Sequence, residues 1–207
     1  MAIVIGAKPE SGYDDPMGLM ADCHRRIERF LETLRVVAQN ASGRELSEEE
    51  ARAVGTALIY FRDAAPRHTA DEEDSLFPRM RAAASCDVIS TLTQISELDA
   101  DHRRAAMLHQ STDSMFNRWL QQRKLAPNES QQLQADLRTL CQIYKKHIAV
   151  EESIVFPLAR RILNSSVQLA MGEEMKCRRG IRSGAEPAVR KQSSGEHASG
   201  QQKPATA

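Results

Sequence analysis

Apolar residues recur at three- and four-residue spacing through most of the chain, with polar residues filling the gaps. The first such stretch runs from about Pro16 to Asn40 and places Leu19, Cys23, Ile27, Leu31 and Leu34 on one face. Pro16 suits the first helical turn after an Asp14-Asp15 cap, and Ser42-Gly43 ends the pattern. Ser47 with Glu50 three residues on reads as a capping box. It opens a second helix to about Ala84, through Val54, Leu58, Phe61 and Ala65. A third pattern covers roughly Asp87 to Lys124, with Ile89, Leu92, Ile95, Leu98 and His102 on one side. Pro127-Asn128-Glu129 interrupts the chain, and a fourth helix follows over about Ser130 to Leu163. Its inward face reads Leu133, Leu137, Leu140, Tyr144, His147, Glu151 and Ile154.

Alternating strand patterns are almost absent, so the fold class is all-α. Four helices with short connections predict an up-down-up-down four-helix bundle. Pro66, Pro78 and Pro157 lie inside the helical patterns and should kink or end them, because proline removes an amide donor and crowds the preceding turn. Three segments follow: a flexible start over 1–13, the helical domain over 14–165, and a largely disordered extension over 166–207.

Composition narrows the function mostly by exclusion. Lys plus Arg and Asp plus Glu both total 28, so overall charge does not point to nucleic acid or a membrane surface. No apolar run approaches the roughly 18 residues of a membrane span, and the start lacks the features of a secretory signal. Cys23, Cys86, Cys141 and Cys177 form no C-x-x-C pair, which suits free thiols in a reducing cytoplasm. There is no phosphate loop or nucleophile–base signature.

The chemistry lies in an internal repeat. Residues 68–78 and 147–157 both obey His-x-Ala-x-Glu-Glu-x-x-x-Phe-Pro. A His-Arg-Arg precedes each, at His24 and at His102, with spacings of 44 residues to His68 and 45 to His147. The chain thus reads as two copies of one helical hairpin. Residues four apart on a helix are offset by only about 40°, so His68 and Glu72 share a face, as do His147 and Glu151. A buried carboxylate is costly unless it is paired, hydrogen-bonded or bound to metal. No Lys or Arg occupies the inward positions, so metal is the better explanation. Imidazole and carboxylate together suit iron, manganese or zinc, and four histidines with two carboxylates suffice for two ions.

The stretch from about Pro16 to Leu163 resembles the hemerythrin-like (HHE) family, whose pattern is His, His-x-x-x-Glu, His, His-x-x-x-Glu along four helices. Carried over residue by residue, the resemblance makes His24, His68, Glu72, His102, His147 and Glu151 the metal ligands. It implies two iron ions bridged by the carboxylates. The expected partner is O₂, nitric oxide or peroxide, in a sensing, detoxifying or iron-handling role. Peroxidase turnover and iron storage are alternatives, and no organic-substrate catalytic residue is expected. Oxygen-carrying members have a fifth histidine on the third helix, one turn from its partner; here those positions are Leu98 and Ala106.

Other polar residues have blander readings. Glu73 and Glu152 lie about 100° beyond the ligand carboxylates and are expected on a solvated face. Glu28 and Asp99 should be peripheral, the alternative for Asp99 being to ligate iron from its place one turn before His102. His109 and Tyr144 should belong to the core, the alternative for Tyr144 being a phenol that acts near the metals. Lys176, Arg178, Arg179 and Arg182 should be a solvated basic tail.

Overall fold

The computed structural model describes residues 11–83 and 86–181, with the side chains of all but 86–90 and 92. Among the described residues there are only helices: α1 (Pro16–Asn40), α2 (Glu48–Ala70), α3 (Phe77–Ala82), α4 (Cys86–Gln122), α5 (Pro127–Val150), α6 (Phe156–Ile162) and α7 (Ser165–Arg178). A π-helical stretch, Asp71–Leu76, joins α2 to α3, and another, Glu151–Val155, joins α5 to α6. The junction residues keep right-handed helical dihedrals, so each trio is one continuous rod. The bundle therefore has the four rods the periodicity predicts, with α7 added.

The caps follow from local chemistry. Asp15 accepts from the Gly18 amide at 3.0 Å, and Pro16 sits in the first turn. Ser47 and Glu50 form the reciprocal box, at 3.2 and 2.8 Å. Pro127 does not hold the fourth rod off until Ser130. It begins that rod, since its fixed φ suits a first turn whose amides lack intrahelical partners anyway. The internal prolines also fail to stop their rods. Pro66 lies within α2, whereas Pro78 and Pro157 open α3 and α6 just after the π-helical turns. In a tight α-helix each ring would collide with the carbonyl four residues back, and the wider turn lies over those carbonyls.

Two apolar cores stack along the bundle. One holds Ile27 to Val37, Val54 to Ala65, Ala105 to Trp119 and Leu133 to Leu140. The other holds Met17 to Met20, Leu76 to Met80, Ile95 with Leu98, and Val155 to Ala159. Each rod passes between them in the alternating sense of an up-down-up-down bundle. His24, His68, His102 and His147 all fall at the crossing, so one polar layer separates the cores. Trp119, 1% exposed, closes the far end and donates its indole N–H to the Arg44 carbonyl at 2.9 Å.

The segment 166–207 is corrected in part. Residues Ser165–Arg178 form α7, which buries Met171, Gly172 and Met175 against the second core. Tyr13 is also packed: a Cβ on Gly172 would lie 1.8 Å from its carbonyl oxygen, so only glycine allows this approach. Arg178 and Arg179 are not a solvated tail. Both donate to Asp71, which is wholly buried, with Arg178 at 2.9 Å. Arg178 also reaches Ser75 at 2.7 Å. Asp71 and Ser75 are where the first repeat departs from the second, which has Val150 and Ile154 there. The departures face α7. Arg182 lies outside the described residues.

The docking of α7 predicts a specific cost. Met171→Ala should lower unfolding stability in urea by about 2–3 kcal/mol, as for a buried methionine. Leu169→Ala, at a position 53% exposed, should change it by less than about 0.5 kcal/mol. Equal effects would mean that α7 is not seated on the core.

Candidate metal centre

The polar layer is built from the four rods. His24 comes from α1, His68 from the end of α2, His102 from α4 and His147 from the end of α5. Glu72 and Glu151 stand in the two π-helical turns and are completely buried. All six residues singled out in the sequence meet there, the four Nε2 atoms facing the two carboxylates. His68 Nε2 lies 3.1 Å from Glu72 Oε1, and His102 Nε2 lies 3.1 Å from Glu72 Oε2. His24 and His147 approach Glu151 Oε2 at 3.0 and 3.3 Å.

Two four-residue groups result: His24, His68, Glu72 and Glu151, and Glu72, His102, His147 and Glu151. Both carboxylates belong to both groups. No oxygen of Glu72 or Glu151 has a properly formed hydrogen bond, and His24 Nε2 is likewise unsatisfied. Unsatisfied carboxylate oxygens at full burial are among the costliest features a core can hold. A cation at each group would satisfy them, so these residues fit a metal.

The π-helical turns explain how the motif works. At 100° per residue, a position five beyond Glu72 would lie about 140° round an α-helix, away from the core. The wider turn takes up one extra residue and brings Phe77 inward beneath Glu72. The same insertion corrects one core position: Val155 is buried and Ile154 is 37% exposed, although plain α periodicity puts Ile154 inside.

The repeat also acts crosswise. Glu73 accepts from or shares a proton with His102 Nδ1 at 2.8 Å, while Phe77 stacks on the same ring at 6.3 Å. Glu152 meets His24 Nδ1 at 2.9 Å, and Phe156 stacks on that ring at 5.5 Å. Glu73 and Glu152 are therefore not idle surface acids, though both remain about two-fifths exposed. A carboxylate on Nδ1 fixes the tautomer that presents Nε2 to a metal. The sequence signal was present in the doubled Glu-Glu, whose second member has its target on another helix.

The remaining candidates sit outside. Glu28 is exposed; Asp99 pairs with Arg81 but also stands with Glu73 and His102 in a third, half-buried group of possible ligands at the edge of the layer. His147 Nδ1 has Asp101 at 3.9 Å. His68 Nδ1 has no hydrogen bond; the Cys23 thiol lies beside that ring. His109 shares a 3.0 Å hydrogen bond with the Tyr144 hydroxyl and stacks on Phe61, as core residues do. Burial holds its ring neutral, with a pKa near about 4.

The sequence model of the hemerythrin HHE cation binding domain matches residues 15–159. The chain belongs to this family. The HHE match ends before α7. The chain is also similar to an uncharacterized protein of Haemophilus influenzae, 28% identical over 171 residues that cover 82% of this chain and 93% of that protein. Members of an HHE cation-binding family hold metal cations, and the His/Glu layer is where this chain can do so.

Electrostatics in the metal-free chain are those of a proton-filled site. Burial pushes the Glu72 carboxyl up, but His68, His102 and His24 outweigh it and hold the group well below the usual range. Burial pushes His102 down, and Glu72 with Glu73 raises it to about 9. A metal must displace such protons, so binding should release protons and weaken in acid. The metal-free chain responds the other way. The His102 pKa is raised above its unfolded value of about 6.5, so its stabilising contribution is complete below that pH and lost as pH rises through about 9. Thermal melts of metal-free protein should therefore show lower stability at pH 10 than at pH 7. Separately, Glu73→Ala and Glu152→Ala should each weaken metal binding about 10- to 100-fold in competition with a chromophoric chelator. Glu28→Ala should leave it unchanged; equal affinities in all three variants would refute the orienting role.

Proposed function

We propose that the centre holds two iron ions bridged by Glu72 and Glu151 and that it meets O₂, nitric oxide or peroxide in a sensing, detoxifying or iron-handling role. The observation that carries this reading is the sharing of both carboxylates by two groups that each have two imidazoles of their own. When bound, the iron pair supplies one-electron redox chemistry and open positions for a small ligand. Manganese or zinc could occupy the same donors, and the family resemblance favours iron.

The residues on the third long rod favour reaction over reversible carriage. One turn to either side of His102, Leu98 is buried and Ala106 exposed, and neither can ligate. Each site thus has two imidazoles, leaving more room for water or an added ligand than in the five-histidine carriers. Phe77 and Phe156 cover the outward rings and keep bulk water from the carboxylates. The free thiols of Cys23, Cys141 and Cys177 accord with a reducing cytoplasm, and among the described residues no helix is long and apolar enough to cross a membrane.

The test is metal counting followed by gas exchange. Anaerobic loading with ferrous iron should give close to two irons per chain, and His68→Ala and His147→Ala should impair loading to similar degrees. Air should then convert the protein to a stable diferric form. One zinc and no iron would remove the di-iron assignment. Recovery of the diferrous spectrum on removing the gas would instead mark an oxygen carrier.

A further inference from the structure

Beside Cys23 a cavity of about 290 Å³ lies between α1, α2, the end of α7 and the N-terminal segment. Its lining includes Arg26, Arg67 and Arg179, together with Tyr13, Tyr60 and Cys23. No carboxylate is among the lining residues.

The positive charge there is only partly answered. Asp71, behind Arg179, also accepts from Arg178, which has a second and looser acidic partner in Asp74 at 4.0 Å, so Arg179 shares its one carboxylate. Arg26 contacts the Cys23 sulfur at 3.2 Å. Its acidic neighbour Asp22 accepts from Arg25 and, at 2.8 Å, from the Ser11 amide. Arg67 is exposed and makes no ion pair among the described residues. A further cation, Lys176, lies 5.6 Å over the Tyr13 ring, although Glu173 pairs with it.

An apolar ligand in this space would strip water from three guanidiniums and return nothing. A dianion of compact shape does the reverse. Arginine forks match phosphate oxygens, and the volume is close to the lower bound of small-molecule sites, about 300 Å³. We propose that the cavity binds a phosphoryl group, presented as free phosphate or as the end of a small phosphate monoester. Arg26 and Arg67 lie within the stretch that matches the HHE family, and Tyr13 and Arg179, from the segments flanking it, complete the site. It does not rest on the iron reading.

Isothermal titration of the full chain as purified, with metal content measured alongside, tests it. Inorganic phosphate should bind saturably, one per chain. Arg67→Ala and Arg26→Gln should each weaken binding about tenfold or more, the loss of a charge-assisted contact. Metal content should not change in Arg67→Ala, since that side chain holds no other residue. Arg62→Ala, whose partner Asp113 lies elsewhere, should bind as the parent does. Glycerol 3-phosphate binding several-fold tighter than phosphate identifies an organic ester as the ligand; equal or weaker binding identifies the free anion. Phosphate held directly by metal would survive both arginine substitutions, and that result, or the absence of saturable binding, overturns the proposal. Loss of metal with intact arginine-dependent binding would count against the iron centre alone.

Discussion

Two carboxylates sit at full burial between two apolar cores, and the rest of the structure is arranged around that cost. Among the described residues, four imidazoles are their near neighbours of opposite character. No lysine or arginine reaches them among the described residues, although 28 such residues exist in the chain. A salt bridge would have settled the charges at a distance from any metal. Imidazoles leave the oxygens available, because a protonated ring can surrender its proton to become a neutral ligand and still stay in place.

Holding six donors in one layer requires rods that do not drift in phase. An α-helix cannot present His, Glu four later and Phe five beyond that to a single centre. The π-helical turns resolve the mismatch where the carboxylates stand, and they also give Pro78 and Pro157 a place that a tight helix would deny them. Glu73 and Glu152 then fall within reach of a neighbouring rod.

Much of this was legible in the sequence, at different depths. Bundle order and the six convergent residues follow from period and repeat, because those signals are local to each helix. Ile154 faces outward against the helical period because a single inserted residue is invisible to a period estimated over a whole helix. The roles of Glu73 and Glu152 are not legible in the sequence because each acts on a ring in another helix, while the 100° offset from the ligand carboxylates on its own helix points to solvent. The helix α7 leaves little trace in the sequence because its apolar content is thin and its anchors are charged: Arg178 and Arg179 resemble a solvated tail unless Asp71 is buried beneath them. The two positions where the repeat breaks, Asp71 and Ser75, were the available clue.

The crosswise pairing has a consequence for how the centre comes into being. Neither hairpin contains the carboxylate that meets Nδ1 of its own leading histidine: His24 takes Glu152, 128 residues away, and His102 takes Glu73, 29 residues away. Contacts of such sequence separation form late, after the entropy of closing the intervening chain has been overcome. A chain emerging from the ribosome has no complete site until its last long rod is made. The first half alone offers His24, His68 and Glu72 without Glu151, and only the finished bundle brings both carboxylates to both groups.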